Sequence, residues 1–271
     1  MTGLEILAFA AIYGLAGMVA GLIAGLLGVG GGIVMVPVLF QTFIFMGLPE
    51  AFQMHLAVGS SLAVIVVTAI QSGRAHHAKG AVDGDVLRLW APALVFGVTC
   101  GAAAARFLTA DMLKLVFGVL SLLVAVHLNL PESNRTGGRA PSHFIQRGLA
   151  TLIGFFSSLM GIGGGTFSVA ALTFFGKPIH TAVGTSAALG FFIALPGALG
   201  FMLVGYGQEG LPLSSVGYVN FLAVACLMPV TALFAPLGAR LAHSFSRETL
   251  EKAFSLFLVI TAMRMFWSLL G

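Results

Sequence analysis

The chain has 271 residues, of which 58% are hydrophobic and only 8% charged, with a mean hydropathy of +1.04. An average soluble domain carries roughly 25% charged residues, so a water-soluble fold could not hide this much apolar surface. The formal charge of +4 does not point to nucleic acid, because the basic residues fall in short stretches between apolar runs, where they read as orientation signals.

No charged residue occurs between Glu5 and Glu50. At about 1.5 Å per residue, a helix over 6–46 would be roughly twice the thickness of the bilayer core, so it must bend or break. Gly28-Val-Gly-Gly-Gly32 is the predicted break. The first apolar run has no positive region before it and far exceeds the roughly 7–15 residues of a signal peptide, so it is expected to stay as a membrane segment. Gly17, Gly21 and Gly25, at four-residue spacing, predict close helix packing. Helices are predicted over 54–73, 87–106 and 112–130. The polar stretch 131–147, with Asn134, Gly137, Gly138 and Pro141, reads as a cytoplasmic linker. A second break follows at Gly161-Ile-Gly-Gly-Gly165, then helices over 181–205, 216–239 and 250–270. Cys100 and Cys226 fall in apolar runs, with no disulfide or metal spacing, and read as small buried hydrophobes.

The halves 1–130 and 148–271 repeat one another. The two glycine runs match, and His55-Leu-Ala-Val-Gly-Ser-Ser61 returns as His180-Thr-Ala-Val-Gly-Thr-Ser186. More weakly, Gly101 to Phe117 lines up with Gly238 to Phe254. With the 74–88 loop set in the cytoplasm, the linker and the loops holding Lys177 and Arg240, Arg247 and Lys252 also fall inside. The 106–114 and 206–216 loops and the C-terminus fall outside. Equivalent loops then lie on opposite sides, so the expected fold is all-α, a polytopic transmembrane bundle of two inverted-topology repeats with glycine-broken helices. Such repeats are common in secondary transporters, whose sites lie near the midplane where interrupted helices meet.

Gly30, Gly31, Gly32, Gly163, Gly164 and Gly165 are the sharpest substrate-binding candidates. Consecutive glycines let the backbone leave helical geometry, and a helix restarting near Ile33 or Thr166 offers free N–H groups and the positive end of its dipole to an anion. Ser60, Ser61, Thr185 and Ser186 could donate to the solute or cap a helix. His55 and His180 could gate, exchange a proton, or sit at the membrane boundary. His76, His77, Asp83 and Asp85 fit no established metal site and read as solvated loop. No cofactor, metal or catalytic constellation is expected, so an enzyme is a distant reading. The expected partners are a small anion and the lipid bilayer, and exposed small-residue faces would permit a homodimer.

The paired glycine runs, each followed by His-x-Ala-Val-Gly-[ST]-Ser, resemble the sulfite exporter TauE/SafE family over nearly the whole chain. The resemblance implies a multi-span carrier of the bacterial inner membrane for sulfite, sulfoacetate or related organosulfonates, usually an exporter working by alternating access. It carries the family motif onto Gly28 to Gly32, Gly161 to Gly165, Gly59 to Ser61 and Gly184 to Ser186. A channel-like anion pore and a non-transporting scaffold or sensor are the alternatives.

Overall fold

The computed structural model describes residues 11–22, 32–129, 140–242 and 247–270. The described chain is helical except for one short hairpin. In the first half, α1 covers Ala11–Leu22, α2 Gly32–Phe45, α3 Glu50–Ala78, α4 Gly84–Ala105 and α5 Ala110–Asn129. In the second half, α6 covers His143–Met160, α7 Gly165–Phe174, α8 Ile179–Val204, α9 Phe221–Ala242 and α10 Arg247–Trp267. Strands β1, Ser215–Val216, and β2, Val219–Asn220, pair antiparallel in the connection from α8 to α9.

Local chemistry sets these boundaries. Pro49 and Pro178 precede α3 and α8, where a residue without an N–H is tolerated. Asp83 caps α4, its carboxylate accepting from the amides of Asp85 and Val86 at 3.1 Å each. The helix α3 is longer than the predicted 54–73. Its 29 residues make roughly 44 Å, well beyond the bilayer core, so its end projects and Arg74, His76 and His77 lie on exposed helix rather than in a loop. Likewise α6 begins at His143, inside the stretch read as linker. Cys226 is partly covered, whereas Cys100, expected to be buried, is exposed on α4.

Helix direction follows from which residues touch. Gly73 packs on Ala188 while Gly197 packs on Leu62, so α3 and α8 run antiparallel. The same holds for α5 and α10, where Gly118 meets Phe266 and the Asn129 amide donates to Ser255 Oγ at 2.6 Å. In contrast α4 and α6 run parallel: Trp90 Nε1 donates to Gln146 Oε1 at 3.2 Å, and further along Gly101 abuts Phe155 and Ser158. Their counterparts α9 and α1 are parallel too, with Gly17 against Leu227 and Val230, and Gly21 against Thr231 and Phe234. Gly21 and Gly154 are equivalent in the duplication, and each lets the facing backbone, at Thr231 and Leu94 respectively, approach where a side chain would collide. Equivalent helices therefore point in opposite directions, as an inverted repeat requires.

Four of the described helices, α3, α4, α5 and α8, are long and apolar enough to cross a membrane. Leu115, Val119, Leu123 and Val126 on α5, with Leu256, Ile260 and Met263 on α10, are exposed. This surface suits hydrocarbon rather than water, and Tyr206 and Trp267, exposed at helix ends, suit the interface.

Candidate substrate site where the glycine breaks meet

The second break is built by two glycines in the left-handed region. Gly161 ends α6 with φ 67°, its amide bonding to the Ser158 carbonyl and that of Ile162 to the Ser157 carbonyl, a pattern that closes a helix and needs glycine. Gly164, at φ 68°, then caps the start of α7. The chain turns back here instead of crossing. Lys177, just after α7, pairs with Asp83 at the start of α4, the end of the bundle that also holds the start of α6. With only 10 residues, α7 spans roughly half the bilayer core. Gly163 lies against Ile65 and Gly190, near the middles of α3 and α8.

Helix α7 starts at Gly165, one residue before the expected restart near Thr166, and α2 is described from Gly32. Gly32 is buried, and a Cβ there would lie 2.8 Å from Ile162 Cα and 3.0 Å from the Gly163 amide nitrogen. Gly32, the last residue of the first glycine run, thus meets the second break at the centre of the α3/α8 pair. Gly30 and Gly31, predicted to bind with Gly32, lie outside the described residues, as do Gly25 and Gly28. The amides of Gly163, Gly164, Gly165, Thr166 and Phe167 meet no acceptor among the described residues. They form a cluster of free donors at a helix N-terminus.

The four hydroxyls of the repeated motif are buried and already bonded. Ser60 Oγ accepts from the Asn220 amide at 2.9 Å, and Thr185 Oγ1 accepts from the Asp83 amide at 2.8 Å. Asn220 and Asp83 are equivalent in the duplication, each at the start of a helix in the opposite half. The neighbouring glycines complete the joint, because a Cβ on Gly59 would strike the Tyr218 carbonyl and one on Gly184 the Ala81 carbonyl. Gly-Ser and Gly-Thr are therefore reciprocal clamps between the halves. Ser61 Oγ donates to the Gly161 carbonyl at 2.7 Å and Ser186 Oγ to the Gly165 carbonyl at 3.1 Å, bracing the second break from α3 and α8.

The paired histidines differ. His55 is buried: its Nε2 lies 3.1 Å from the Leu108 carbonyl and its ring stacks on Tyr218 at 4.6 Å. His180 is exposed, since Ala81, the counterpart of Tyr218, has no ring to cover it. A cleft of about 770 Å³ opens at the His55 end, lined by Glu50, His55, Arg106, Asp111, Gln208 and Tyr218 among others. Beside it the fully buried Lys114 donates to Glu50 at 2.9 Å and Asp111 at 3.0 Å. The opposite end is tied by Lys177 and Asp83 at 2.6 Å. The hydrogen bond from Lys177 holds the Asp83 carboxyl below its ordinary range, helped by the Val86 and Asp85 amides and opposed by burial. No cluster of His, Cys, Asp and Glu among the described residues could hold a metal ion.

Sequence reasoning missed Ser157 and Ser168. Both are fully buried beside the second break, and Ser157 Oγ lies 3.3 Å from where a Cβ on Gly164 would sit. The available signal was a serine within an apolar run, one turn from a glycine break.

A family model described as Sulfite exporter TauE/SafE matches residues 13–265. A probable membrane transporter protein of Haemophilus influenzae is 35% identical over 256 residues, covering 93% of this chain and 96% of the relative. The probable membrane transporter protein YunE of Bacillus subtilis is 25% identical, covering 93% and 95%. One from Methanocaldococcus jannaschii is 26% identical, covering 87% of each. No solved structure matches.

Proposed function

The chain belongs to the sulfite exporter TauE/SafE family and is a multi-pass membrane transporter, and from that premise we propose that it carries a small sulfur-containing anion out of a bacterial cell. The substrate class is sulfite, sulfoacetate or a related organosulfonate, and the membrane is the inner one. The observation that carries this reading is the approach of Gly32 to the second break at mid-bundle, with a row of backbone donors that meet no acceptor among the described residues.

The energies are compatible with binding and release. A buried anion loses several kcal/mol of effective solvation, and each hydrogen bond to a charged group returns about 1.5–3 kcal/mol. Three or four donors roughly balance the cost without a fixed cation, which favours letting go as much as holding. Alternating access then consists of the halves moving against one another about this centre. The end tied by Lys177 and Asp83 carries most of the basic residues and is cytoplasmic by the positive-inside rule. The cleft beside His55 therefore faces outward.

Purified protein reconstituted in liposomes, with empty liposomes as background, should give saturable counterflow of radiolabelled sulfite or a short organosulfonate. Gly164→Leu should lose it, because the left-handed φ excludes a side chain and Ile193 occupies the space. Flux that stays linear with concentration would instead indicate a pore. Absence of flux for both solutes in folded protein would remove this substrate class.

A further inference from the structure

The two glycine runs match in sequence, but the residues around them do not. Ser157, in the last turn of α6, and Ser168, in the first turn of α7, are both 0% exposed, and neither Oγ has a hydrogen-bond partner. Burying an unpaired hydroxyl is unfavourable, and a serine in a helix has a ready remedy in donating to the carbonyl one turn back. Thr42, Thr99 and Thr173 do so in this molecule. Ser157 and Ser168 do not. Ser157 Oγ faces the N-cap of α7, 3.3 Å from where a Cβ on Gly164 would lie, beside the amides that meet no acceptor among the described residues. Aligning Gly28 with Gly161 places Ala24 and Met35 at the equivalent positions of the first half, which have no hydroxyl to offer.

Resting on the anion-carrier reading above, we propose that the substrate is held at the second break. The N-terminal amides of α7 and the hydroxyls of Ser157 and Ser168 form an oxyanion site. Several neutral donors converging from two helices suit a compact head with several acceptor oxygens, such as sulfite or a sulfonate. Lys114, the only buried Lys or Arg among the described residues, is engaged with Glu50 and Asp111, so neutral donors do the binding.

The test compares full-length wild type with Ser157→Ala, Ser168→Ala and Ser121→Ala. Ser121, on α5, is an equally buried and unpaired hydroxyl away from the break. The KM for sulfite in liposomes and the melting temperature in detergent, with and without sulfite, are measured. Ser157→Ala and Ser168→Ala should each raise KM about tenfold or more and shrink the sulfite-induced rise in melting temperature. Their anion-free melting temperature should hold or increase, since an unpaired polar atom is removed. Ser121→Ala should match that stability effect and leave KM unchanged. An unchanged KM in both break variants with saturable wild-type flux overturns the site and leaves the carrier reading standing, and so does an anion-free melting temperature several degrees lower. Sulfite protection that disappears in Ser157→Ala, in a wild type without flux, keeps the site and removes the carrier. Neither flux nor protection in wild type overturns both.

Discussion

The two reciprocal clamps do the same mechanical work with different chemistry. At one end Gly184 makes room for the Ala81 carbonyl, Thr185 receives the Asp83 amide, and Lys177 closes over Asp83. At the other, Gly59 makes room for the Tyr218 carbonyl and Ser60 receives the Asn220 amide. Asn220 is neutral, so no ion pair forms on it, and the joint borders an open cleft with Tyr218 stacked on His55. The backbone contacts that hold an inverted repeat together are thus duplicated, while the side chains that make its two ends unequal are not. A carrier needs both: a symmetric frame that can rock, and unequal ends that favour one orientation.

The frame is the place for the largest effects. Gly59→Ala and Gly184→Ala each drive a Cβ into a carbonyl of the opposite half, a backbone contact with no flexible side chain to give way. Each should cost roughly 3 kcal/mol or more, read as lost monodisperse protein in detergent. If one is tolerated and the other is not, the clamps are not mechanically equivalent. The histidines sharpen the difference between ends. His55→Ala removes a buried ring from its stack on Tyr218 and should cost about 2–3 kcal/mol, whereas His180→Ala, at an exposed position, should stay within about 0.5 kcal/mol. Equal melting temperatures for the two variants would show that Tyr218 does not make the ends unequal.

The capping residues come next. Asn220→Ala removes a cap in which Oδ1 accepts from the Ala223 amide at 2.8 Å, worth about 1 kcal/mol. Asp83→Ala removes the matching cap of α4 and also strands Lys177, so its loss should be greater by under about 1 kcal/mol. Parity between the two would mean that the ion pair contributes nothing measurable.

These pairs also explain what the sequence could and could not disclose. The duplication, the second break and the antiparallel placement of equivalent helices were readable, because glycine runs, charge-free stretches and loop charges each follow from bilayer physics. The clamp was misread. Ser60 and Thr185 were legible as hydroxyls near a helix start, but their partners, the amides of Asn220 and Asp83, lie far along the chain in the other half and carry no local mark. Ser157 and Ser168 escaped for the opposite reason: they lie outside the repeated motifs, and only burial without a partner singles them out. The overrun of α3 to Ala78 was hidden because Arg74, His76 and His77 look like a loop in composition yet form a projecting helical end.

The smallest effect isolates the charge at the tied end. Lys177 holds the folded-state Asp83 carboxyl below its ordinary value, which is about 3.9 in model peptides. On acidification the unfolded chain takes up this proton first. The pair's contribution is therefore complete above about pH 5 and is lost as pH falls through the lowered folded-state value. Lys177 has 37% of its side chain exposed, so solvent screening limits the contribution to under about 1 kcal/mol. The melting temperature of Lys177→Met should fall slightly below that of wild type at pH 7, and the two should converge toward pH 3. A gap that persists unchanged to pH 3 would assign the role of Lys177 to packing instead. Acid should raise hydrogen exchange, corrected for intrinsic rates, around 81–86 more in wild type than in Lys177→Met. Equal loosening of this segment in the two proteins would mean that the asymmetry of the two ends does not reside in this ion pair.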